Sequence, residues 1–365
     1  MSSIIVRLAE ETDNEQLQAL VHRCPQEGMI TFYPVRRPLF NSVHRLFDPE
    51  SWHMVACDGE RIIGLVGVIH FKAMVLGKSC KLGYMLDLRM DPEYRSGVAA
   101  FRLVRAAVDH IMQSDTDMII ANFLKDNKRP LVFTEGRGGL PRAHFLGENK
   151  LFNIIPLRRM KLISGFDIAT PQASDIPEMV ELYGRYAKGF KIAPLIHEET
   201  FRKHLEDING LSLDSFLIAR SNGRIKAMTA LWDDQRYISH QVLRLSTSIA
   251  AVNNTMKILS PFFPLPHPIR LNEPLKQHSL VFYAHDNCPE ALETLFRHVN
   301  NIRRGTDTTL ISLYAQEKDP VFQLVKRFFG VSIKSHMYIF ARDESIYEKL
   351  AKNPQAVMQD VVMTL

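Results

Sequence analysis

A short run of cationic, hydroxyl and glycine residues lies in the first third of the chain, where chemistry on an anion is possible. Arg95, Ser96 and Gly97 precede Ala99 and Ala100, at the point where an alternating apolar pattern gives way to a helical one. Free backbone N–H groups and the helix dipole favour a bound anion at such a helix start. The sequence therefore predicts a phosphate-binding turn. The alternative is an ordinary strand-to-helix turn in which Gly97 supplies backbone freedom.

The elements that position this turn are predicted from periodicity. Leu86, Leu88 and Met90 alternate with polar residues, and Pro92 ends the strand because proline cannot donate to a sheet ladder. Beyond Ala99 the apolar residues follow one helical stripe, which comprises Ala100, Leu103, Val104, Ala107, Val108 and Ile111.

The segment 86–100 resembles the coenzyme-A loop of the GNAT superfamily of N-acetyltransferases. The lead-in 91–95, Asp-Pro-Glu-Tyr-Arg, carries the resemblance. The loop itself departs from the family pattern Arg/Gln-x-x-Gly-x-Gly/Ala, because either Tyr94 takes the place of the cation or the loop that starts at Arg95 is one residue short. Two flanking segments extend the resemblance over residues 3–163: an opening strand before an N-cap at Thr12 or Asp13, and a strand that ends in a polar run at Asn127.

The resemblance implies acetyl-CoA as co-substrate, inserted between two splayed strands, and it implies a set of cofactor-binding residues. Backbone N–H groups of two of these residues are expected to bind the thioester carbonyl, namely those of Leu88 and Met90, and Asn127 is expected near the pantetheine arm. The full set is Leu88, Arg89, Met90, Arg95, Ser96, Gly97, Val98, Ala99, Ala100 and Asn127.

The same resemblance suggests the groups that move protons during acyl transfer. Asp87 is the candidate base, with a paired structural carboxylate as the alternative, and Tyr84 is a weaker candidate. The family commonly places an acidic tyrosine about seven residues beyond the asparagine, but this position is Thr134, followed by Glu135. Thr134, Glu135 or a water molecule is therefore expected to protonate the leaving thiolate.

The architecture is predicted to occur twice. Asp-Gly and Asn-Gly turns at residues 58–59 and 222–223 predict hairpins at matching places, and each half opens with a strand and a helix cap. We therefore expect an α/β (α+β) fold of two tandem GNAT-like units, each a mixed, mostly antiparallel sheet with helices on both faces. The expected domains are 1–163, which binds acyl-CoA, and 164–365, which shapes the acceptor site, serves as a structural unit or replaces a dimer partner.

The second half is expected to differ where the cofactor would bind. Its matching turn, 284–290, has no glycine or cation and carries Asp286 and Glu290, which would repel a pyrophosphate. Two further loops have open interpretations. The proline-rich segment 261–268 is either a pocket wall or a surface linker, and the glycine-rich segment 134–142 is either an anion-binding loop or a connector.

Composition excludes several classes of protein. The 365 residues carry a net charge of +5, without the long basic run of a nucleic-acid-binding arm, and no apolar run is long enough to cross a membrane. The four cysteines form no CxxC pair and the histidines form no HExxH motif, so neither a disulfide framework nor a metal site is expected. A cytoplasmic protein without a nucleic-acid or membrane partner is predicted, either a monomer or a homodimer.

These features favour an acyl-CoA-dependent N-acyltransferase, with acetyl as the expected group and a primary amine of a small molecule or peptide as acceptor. Two alternatives remain: a transferase of the same tandem fold that uses aminoacyl-tRNA, and a non-catalytic module that binds acyl-CoA. The lead-in 91–95 and the lack of a strongly basic face disfavour the first of these. The missing tyrosine keeps the second alternative open.

Overall fold

The computed structural model describes residues 4–95, 98–208 and 210–359. Within these residues the first half contains β1 (Ile5–Leu8), α1 (Asn14–Arg23), β2 (Ile30–Arg36), α2 (Ser42–Phe47), β3 (Trp52–Asp58), β4 (Arg61–Val75), β5 (Lys78–Met90), α3 (Ala99–Gln113), β6 (Met118–Leu124) and β7 (His144–Ile154). The second half contains β8 (Asp167–Ala169), α4 (Ile176–Ala187), β9 (Ile192–Pro194), α5 (Glu198–Asp207), β10 (Phe216–Ser221), β11 (Arg224–Trp232), β12 (Ile238–Leu245), α6 (Thr247–Leu259), β13 (Gln277–His285), α7 (Pro289–Arg303), β14 (Leu310–Gln316), α8 (Val321–Val325), β15 (Gly330–Ala341) and α9 (Ser345–Lys352).

One large mixed sheet runs through both halves of the chain. Its strand order is β1-β3-β4-β5-β6-β15-β7-β14-β13-β11-β10-β8, with β9 paired to β4. The last strands of the two halves are exchanged: β15 pairs with β6 of the first half, and β7 pairs with β14 of the second. The two units are therefore joined through their backbone hydrogen bonds as well as through the connecting chain.

The repeat is visible in backbone detail. In each half a strand pairs in parallel with a neighbour and then separates from it, β5 from β6 after Met85 and β13 from β14 after Leu280. Two residues later each strand bulges against its antiparallel neighbour, at Asp87 with φ of 59° and at Phe282 with φ of 51°. A positive φ is costly for most side chains. Its occurrence at the same place in both halves therefore indicates that the two halves are built from the same arrangement of strands.

Helices cover both faces of the sheet, as the sequence predicts. Helix α3 buries the predicted apolar stripe against β3 and β4 on one face, and α7 packs on β10, β11 and β13. Helices α1, α2, α4 and α5 cover the other face, where they enclose separate apolar clusters. A two-stranded ribbon of β2 and β12 lies outside the large sheet and joins the two halves.

Most predicted strands and helices are confirmed to within a few residues, and the differences have physical causes. A helix is predicted at 320–329 from its apolar residues, but α8 ends at Val325. The ribbon strands β2 and β12 were missed: β2 contains Pro34, which disfavours a central strand, and β12 lies in a segment whose pattern indicates no element. The segment 261–268 borders a surface cleft, and its residues Phe262 and Phe263 are exposed.

Acid conditions are expected to weaken the fold through buried neutral histidines. The ring of His204 packs against Phe47 and Phe282, and burial lowers its pKa from 6.5 to about 4. The unfolded chain therefore takes up this proton at pH values where the folded protein does not. Its contribution to stability is present above pH 6.5 and is lost as the pH falls towards 4, a loss of about 3 kcal/mol.

The measurement is urea unfolding of a His204→Phe variant and of wild type between pH 7 and pH 4.5. The variant is expected to lose stability less steeply, by about 1.4 kcal/mol per pH unit. Substitution of the exposed His22 by phenylalanine is the control and leaves the slope unchanged. Equal slopes for His204→Phe and wild type would contradict the assignment.

Candidate functional site

The candidate site is the fork at which β5 separates from β6. The parallel pairing ends at Met85 opposite Ala121, so on the β6 side residues 86–90 form a strand edge that no described strand pairs with. Leu88, Arg89 and Met90, which are predicted to line the cofactor, all lie on this stretch. An extended chain with amide groups can add to such an edge through backbone hydrogen bonds.

Asp87 lies in the bulge of this fork and forms a buried ion pair. The Arg36 guanidinium donates to both carboxylate oxygens, at 2.5 and 2.9 Å, and also lies over the ring of Phe40. Burial alone would raise the pKa of Asp87, but the Arg36 charge and the hydrogen bond from His53 hold it well below its usual range. The predicted role of Asp87 as the base stays a prediction. The geometry gives a carboxylate that is ionised and already paired.

Two histidines complete this cluster. The Nε2 atoms of His53 and His44 lie 3.4 and 4.0 Å from the Asp87 carboxylate, and the two rings stack with centroids 4.9 Å apart. Burial lowers the pKa of both rings, so both are neutral at pH 7. His44 is fully buried, and both of its ring nitrogens lack a hydrogen-bond partner among the described residues.

The spacing of His44, His53 and Asp87 also invites a metal interpretation, since their ligand atoms lie within 4.8 Å of one another. Arg36 already chelates both oxygens of Asp87, and its positive charge would oppose a cation at this position. We therefore treat the four residues as one ion-paired cluster, the Asp87 cluster, consisting of Arg36, His44, His53 and Asp87.

Tyr84 marks the base of the fork. Its hydroxyl accepts a hydrogen bond from the Asn122 amide at 3.3 Å, and Asn122 is the first residue of β6 beyond the paired segment. Asn122 in turn accepts from Asn149, which also donates to Tyr314 of the second half. Burial raises the pKa of Tyr84 to about 12, so its hydroxyl stays protonated at neutral pH.

The predicted phosphate turn is described only in part, because Ser96 and Gly97 lie outside the described residues. Ala99 and Ala100 form the first turn of α3, and the exposed Val98 precedes them. Arg95 donates to the carbonyl of Met90, which ties the turn to the end of β5. Arg89 of the strand donates to the Cys24 carbonyl at 2.6 Å.

The glycine-rich loop packs against this same helix. Gly138 lies against the ring of Phe101, and Gly139 lies against the guanidinium of Arg105, both on α3. Both glycines have a positive φ, of 64° and 81°, and an added Cβ would press on these side chains. The segment therefore lies beside the start of α3, where a cofactor's phosphates are predicted.

The remaining predicted residues lie after β6, where the bonds found for them are local. The Thr134 hydroxyl donates to the carbonyl of Leu131, Glu135 is half-exposed and pairs with Arg137, and Asn127 is exposed in the turn beyond the strand. None of the bonds among described residues joins Thr134 or Glu135 to Tyr84. Their catalytic roles and the cofactor role of Asn127 stay predictions.

Sequence reasoning missed Arg36, His44 and His53, and it also missed Asp234. Asp234 follows β11 in the second half and accepts a hydrogen bond from Ser279, and its other, buried oxygen has no partner in the described part of the chain. Burial raises its pKa to about 7. No motif marks these residues, because their spacing along the chain follows no pattern.

The fork, the bulged strand and the helix that follows it occur once in each half of the chain. No protein-family model matches the chain, and no curated protein sequence matches it. Solved structures do match over 93% of the chain. They include Saccharomyces cerevisiae N-myristoyltransferase with bound myristoyl-CoA, with a TM-score of 0.62, 13% identity and 83% of that chain covered.

Two other solved structures agree on this fold. One is a conserved protein of unknown function from Enterococcus faecalis, described as a probable N-acyltransferase, with a TM-score of 0.51, 10% identity and 73% of that chain covered. The other contains a GCN5-related glucosamine N-acetyltransferase region in a fungal multi-domain β-N-acetylglucosaminidase, with a TM-score of 0.59, 14% identity and 38% of that chain covered. The GNAT fold predicted from residues 86–100 is confirmed.

Proposed function

We propose that this chain is an acyl-CoA-dependent N-acyltransferase that transfers an acetyl group to a primary amine. The observation that carries the proposal is the fork between β5 and β6, with its bulge at Asp87 and the start of α3 directly after the strand. An open strand edge suits the amides of a pantetheine arm, and a helix start suits its pyrophosphate. The solved structures of similar fold support this reaction class, since one binds myristoyl-CoA and the others are described as acyltransferases.

The first half is the proposed cofactor site. At the second fork Phe282 takes the place of Asp87 and packs among Phe201, Phe216 and Tyr183, with ring centroids at most 6.0 Å away. The turn that follows carries Asp286, which pairs with Arg185 and Lys226 of its own half. The aromatic side chains that fill this fork oppose a bound coenzyme, whereas the charge of Asp286 is compensated by its two cationic partners.

A short acyl group fits the surroundings of the first fork. The thioester carbonyl is expected next to the backbone of Leu88, so the acyl group lies beside the Asp87 cluster, which is charged and polar. A long alkyl chain gains about 0.8 kcal/mol per methylene only when it is buried among apolar atoms. The charged Asp87 cluster offers little of this gain, which favours acetyl over a fatty acyl group.

The proposed chemistry needs one acid and one base. The amine nitrogen attacks the thioester carbon, the C–S bond breaks, and the leaving sulfur takes a proton from Tyr84, whose hydroxyl is protonated at neutral pH. The Tyr84 phenolate then regains a proton from solvent. Backbone N–H groups of the open strand edge stabilise the oxyanion. The proton lost by the amine passes to the Asp87 cluster, in which the basic ring nitrogen of neutral His44 has no partner among the described residues and Asp87 stabilises an added positive charge.

Calorimetric titration with acetyl-CoA tests the cofactor site, with charge introduced at Val98. Val98 is 63% exposed at the start of α3. A Val98→Asp variant is expected to bind acetyl-CoA ~10-fold more weakly, because its carboxylate repels the pyrophosphate while it suits the helix dipole. The neutral Val98→Asn variant is the matched control and binds as wild type does.

Thiol release with a panel of amines then tests the transfer. Binding that Val98→Asp weakens, followed by release with some amine, supports the proposal. Binding without release from any amine would favour the non-catalytic module. Absence of binding at millimolar acetyl-CoA would overturn the proposal.

A further inference from the structure

Helix α6 buries a polar side chain and exposes apolar ones, which is the reverse of the usual pattern of a surface helix. The described residue that is buried in this 13-residue helix is Asn253, whose amide both donates to and accepts from the backbone of Ile269. Three large apolar residues of the same helix are exposed, namely Val252, Ile258 and Leu259. A helix of a folded domain normally turns its apolar side chains inward, so α6 presents an apolar surface that the described part of the chain leaves uncovered.

The exposed apolar surface continues beyond the helix. Phe262 and Phe263 follow α6 directly and are 77% and 57% exposed, and Leu271 lies at the end of the same segment. Six of the fourteen large apolar residues that the described chain exposes lie between Val252 and Leu271. We call these six residues the α6 patch: Val252, Ile258, Leu259, Phe262, Phe263 and Leu271.

The patch borders a cleft whose lining includes Pro261, Pro264 and Pro268. The cleft has a volume of about 830 Å³ and is formed by the end of α6, the segment 260–270 and the turn at Gly305 and Thr306. Pro264 packs against Gly305, and the carbonyl of His267 accepts from Thr309, so the segment is fixed to the end of α7 and the start of β14. Phe262 and Phe263 therefore lie in a loop that is fixed by contacts with the rest of the second half.

The chain segment that carries the patch has charges of one sign. No aspartate or glutamate occurs between Asp234 and Glu273, whereas Lys257 and Arg270 line the cleft itself. Among the described residues no acid lies within ion-pair distance of Lys257, and Arg270 has only an exposed contact with Glu273 at 3.7 Å. The patch thus combines projecting aromatic and aliphatic side chains with cations and lacks any negative charge of its own.

We propose that the α6 patch docks this protein on the surface of an anionic lipid membrane. The two phenylalanines and Ile258 enter the boundary between headgroups and acyl chains, and Lys257 and Arg270 bind lipid phosphates. Interfacial helices use this combination, and their binding adds buried apolar area to attraction for anionic lipids. The absence of acids over the whole segment matches a surface of uniform negative charge. Docking of this kind revises the expectation from composition that the protein has no membrane partner.

Co-sedimentation with vesicles tests the proposal on the full-length protein. Vesicles of phosphatidylcholine and phosphatidylglycerol in a ratio of about 3:1 are expected to bind it at least tenfold more tightly than pure phosphatidylcholine vesicles, and added salt is expected to weaken the binding. The double variant Phe262→Ser/Phe263→Ser is expected to lose at least tenfold in affinity. Lys257→Gln/Arg270→Gln is expected to lose the preference for anionic vesicles. A Phe329→Ala variant, which removes an exposed phenylalanine from another part of the surface, is the matched control and binds as wild type does.

A Phe262→Trp variant gives a second readout, because its fluorescence shifts to shorter wavelength when the ring enters the bilayer. Equal binding to both vesicle types, or equal binding by wild type and the double serine variant, would overturn the proposal. Sedimentation velocity without lipid tests whether a second copy of the chain binds the patch instead. A dimer that the Phe262→Ser/Phe263→Ser variant dissociates would assign the patch to that second copy and overturn the membrane proposal.

Discussion

Replacement of Asp87 by asparagine is expected to lower the free energy of unfolding by about 3–5 kcal/mol. The substitution removes the counterion of Arg36. The Arg36 side chain is 2% exposed, so its charge is then buried without compensation. Removal of one partner of a buried ion pair costs far more than the pair itself contributes, because the desolvation of the remaining charge is no longer compensated. Chemical denaturation at pH 7 measures the change.

A double-mutant cycle separates this effect from general damage to the core. Arg36→Met and Asp87→Leu are each expected to be strongly destabilising, whereas the double variant loses much less than the sum, since no charge stays buried. The exposed pair of Glu348 and Lys352 is the control, and Glu348→Gln changes stability by less than about 0.5 kcal/mol. Additive losses in the cycle would contradict the ion-pair account.

The same result decides how a loss of activity at Asp87 is interpreted. If Asp87 only accepts the amine proton, Asp87→Asn lowers turnover in a protein that is as stable as wild type. If it also holds Arg36 and the two histidines in place, as the geometry indicates, stability and turnover fall together. Turnover of this variant is therefore informative only under conditions in which unfolding experiments find it folded.

The fold could be predicted from sequence where local patterns decide structure. The hairpin turns at residues 58–59 and 222–223, the alternation before Pro92 and the stripe of α3 all act within a few residues. The exchange of β7 and β15 and the ribbon of β2 and β12 could not be predicted in this way. They pair residues about two hundred positions apart, and nothing local distinguishes an exchanged strand from one that pairs within its own half.

The site follows the same division. Asp87 and Tyr84 were identified because they lie on a strand next to a recognisable turn. The partners of Asp87 come from three separate elements, Arg36 from β2, His44 from α2 and His53 from β3, and only the folded chain brings them together. The role of Asn122 as the first residue of β6 beyond its pairing with β5 could not be predicted either. The sequence does not specify at which residue two parallel strands begin to separate.

Removal of the Tyr84 hydroxyl is expected to lower turnover by a factor of ~10² to 10⁴. A Tyr84→Phe variant keeps the ring and its packing but leaves the departing thiolate without its proton donor. Since the hydroxyl lies at the base of the fork and, among the described residues, accepts from Asn122 alone, the dissociation constant of acetyl-CoA is expected to stay near that of wild type. Calorimetry and thiol release with the amine found in the panel measure the two quantities on the same preparation.

Tyr314→Phe is the matched control for this experiment. Tyr314 is also buried, its hydroxyl belongs to the same network through Asn149, and burial raises its pKa as well, yet it lies on β14 of the second half. Loss of its hydroxyl disturbs the network by a similar amount and leaves the donor at the fork in place. A large loss of turnover in Tyr84→Phe alone assigns the proton to Tyr84. Similar losses in both variants would mean that the hydroxyls act by holding Asn122 and Asn149 in position, and full turnover in Tyr84→Phe would return the role to water, Thr134 or Glu135.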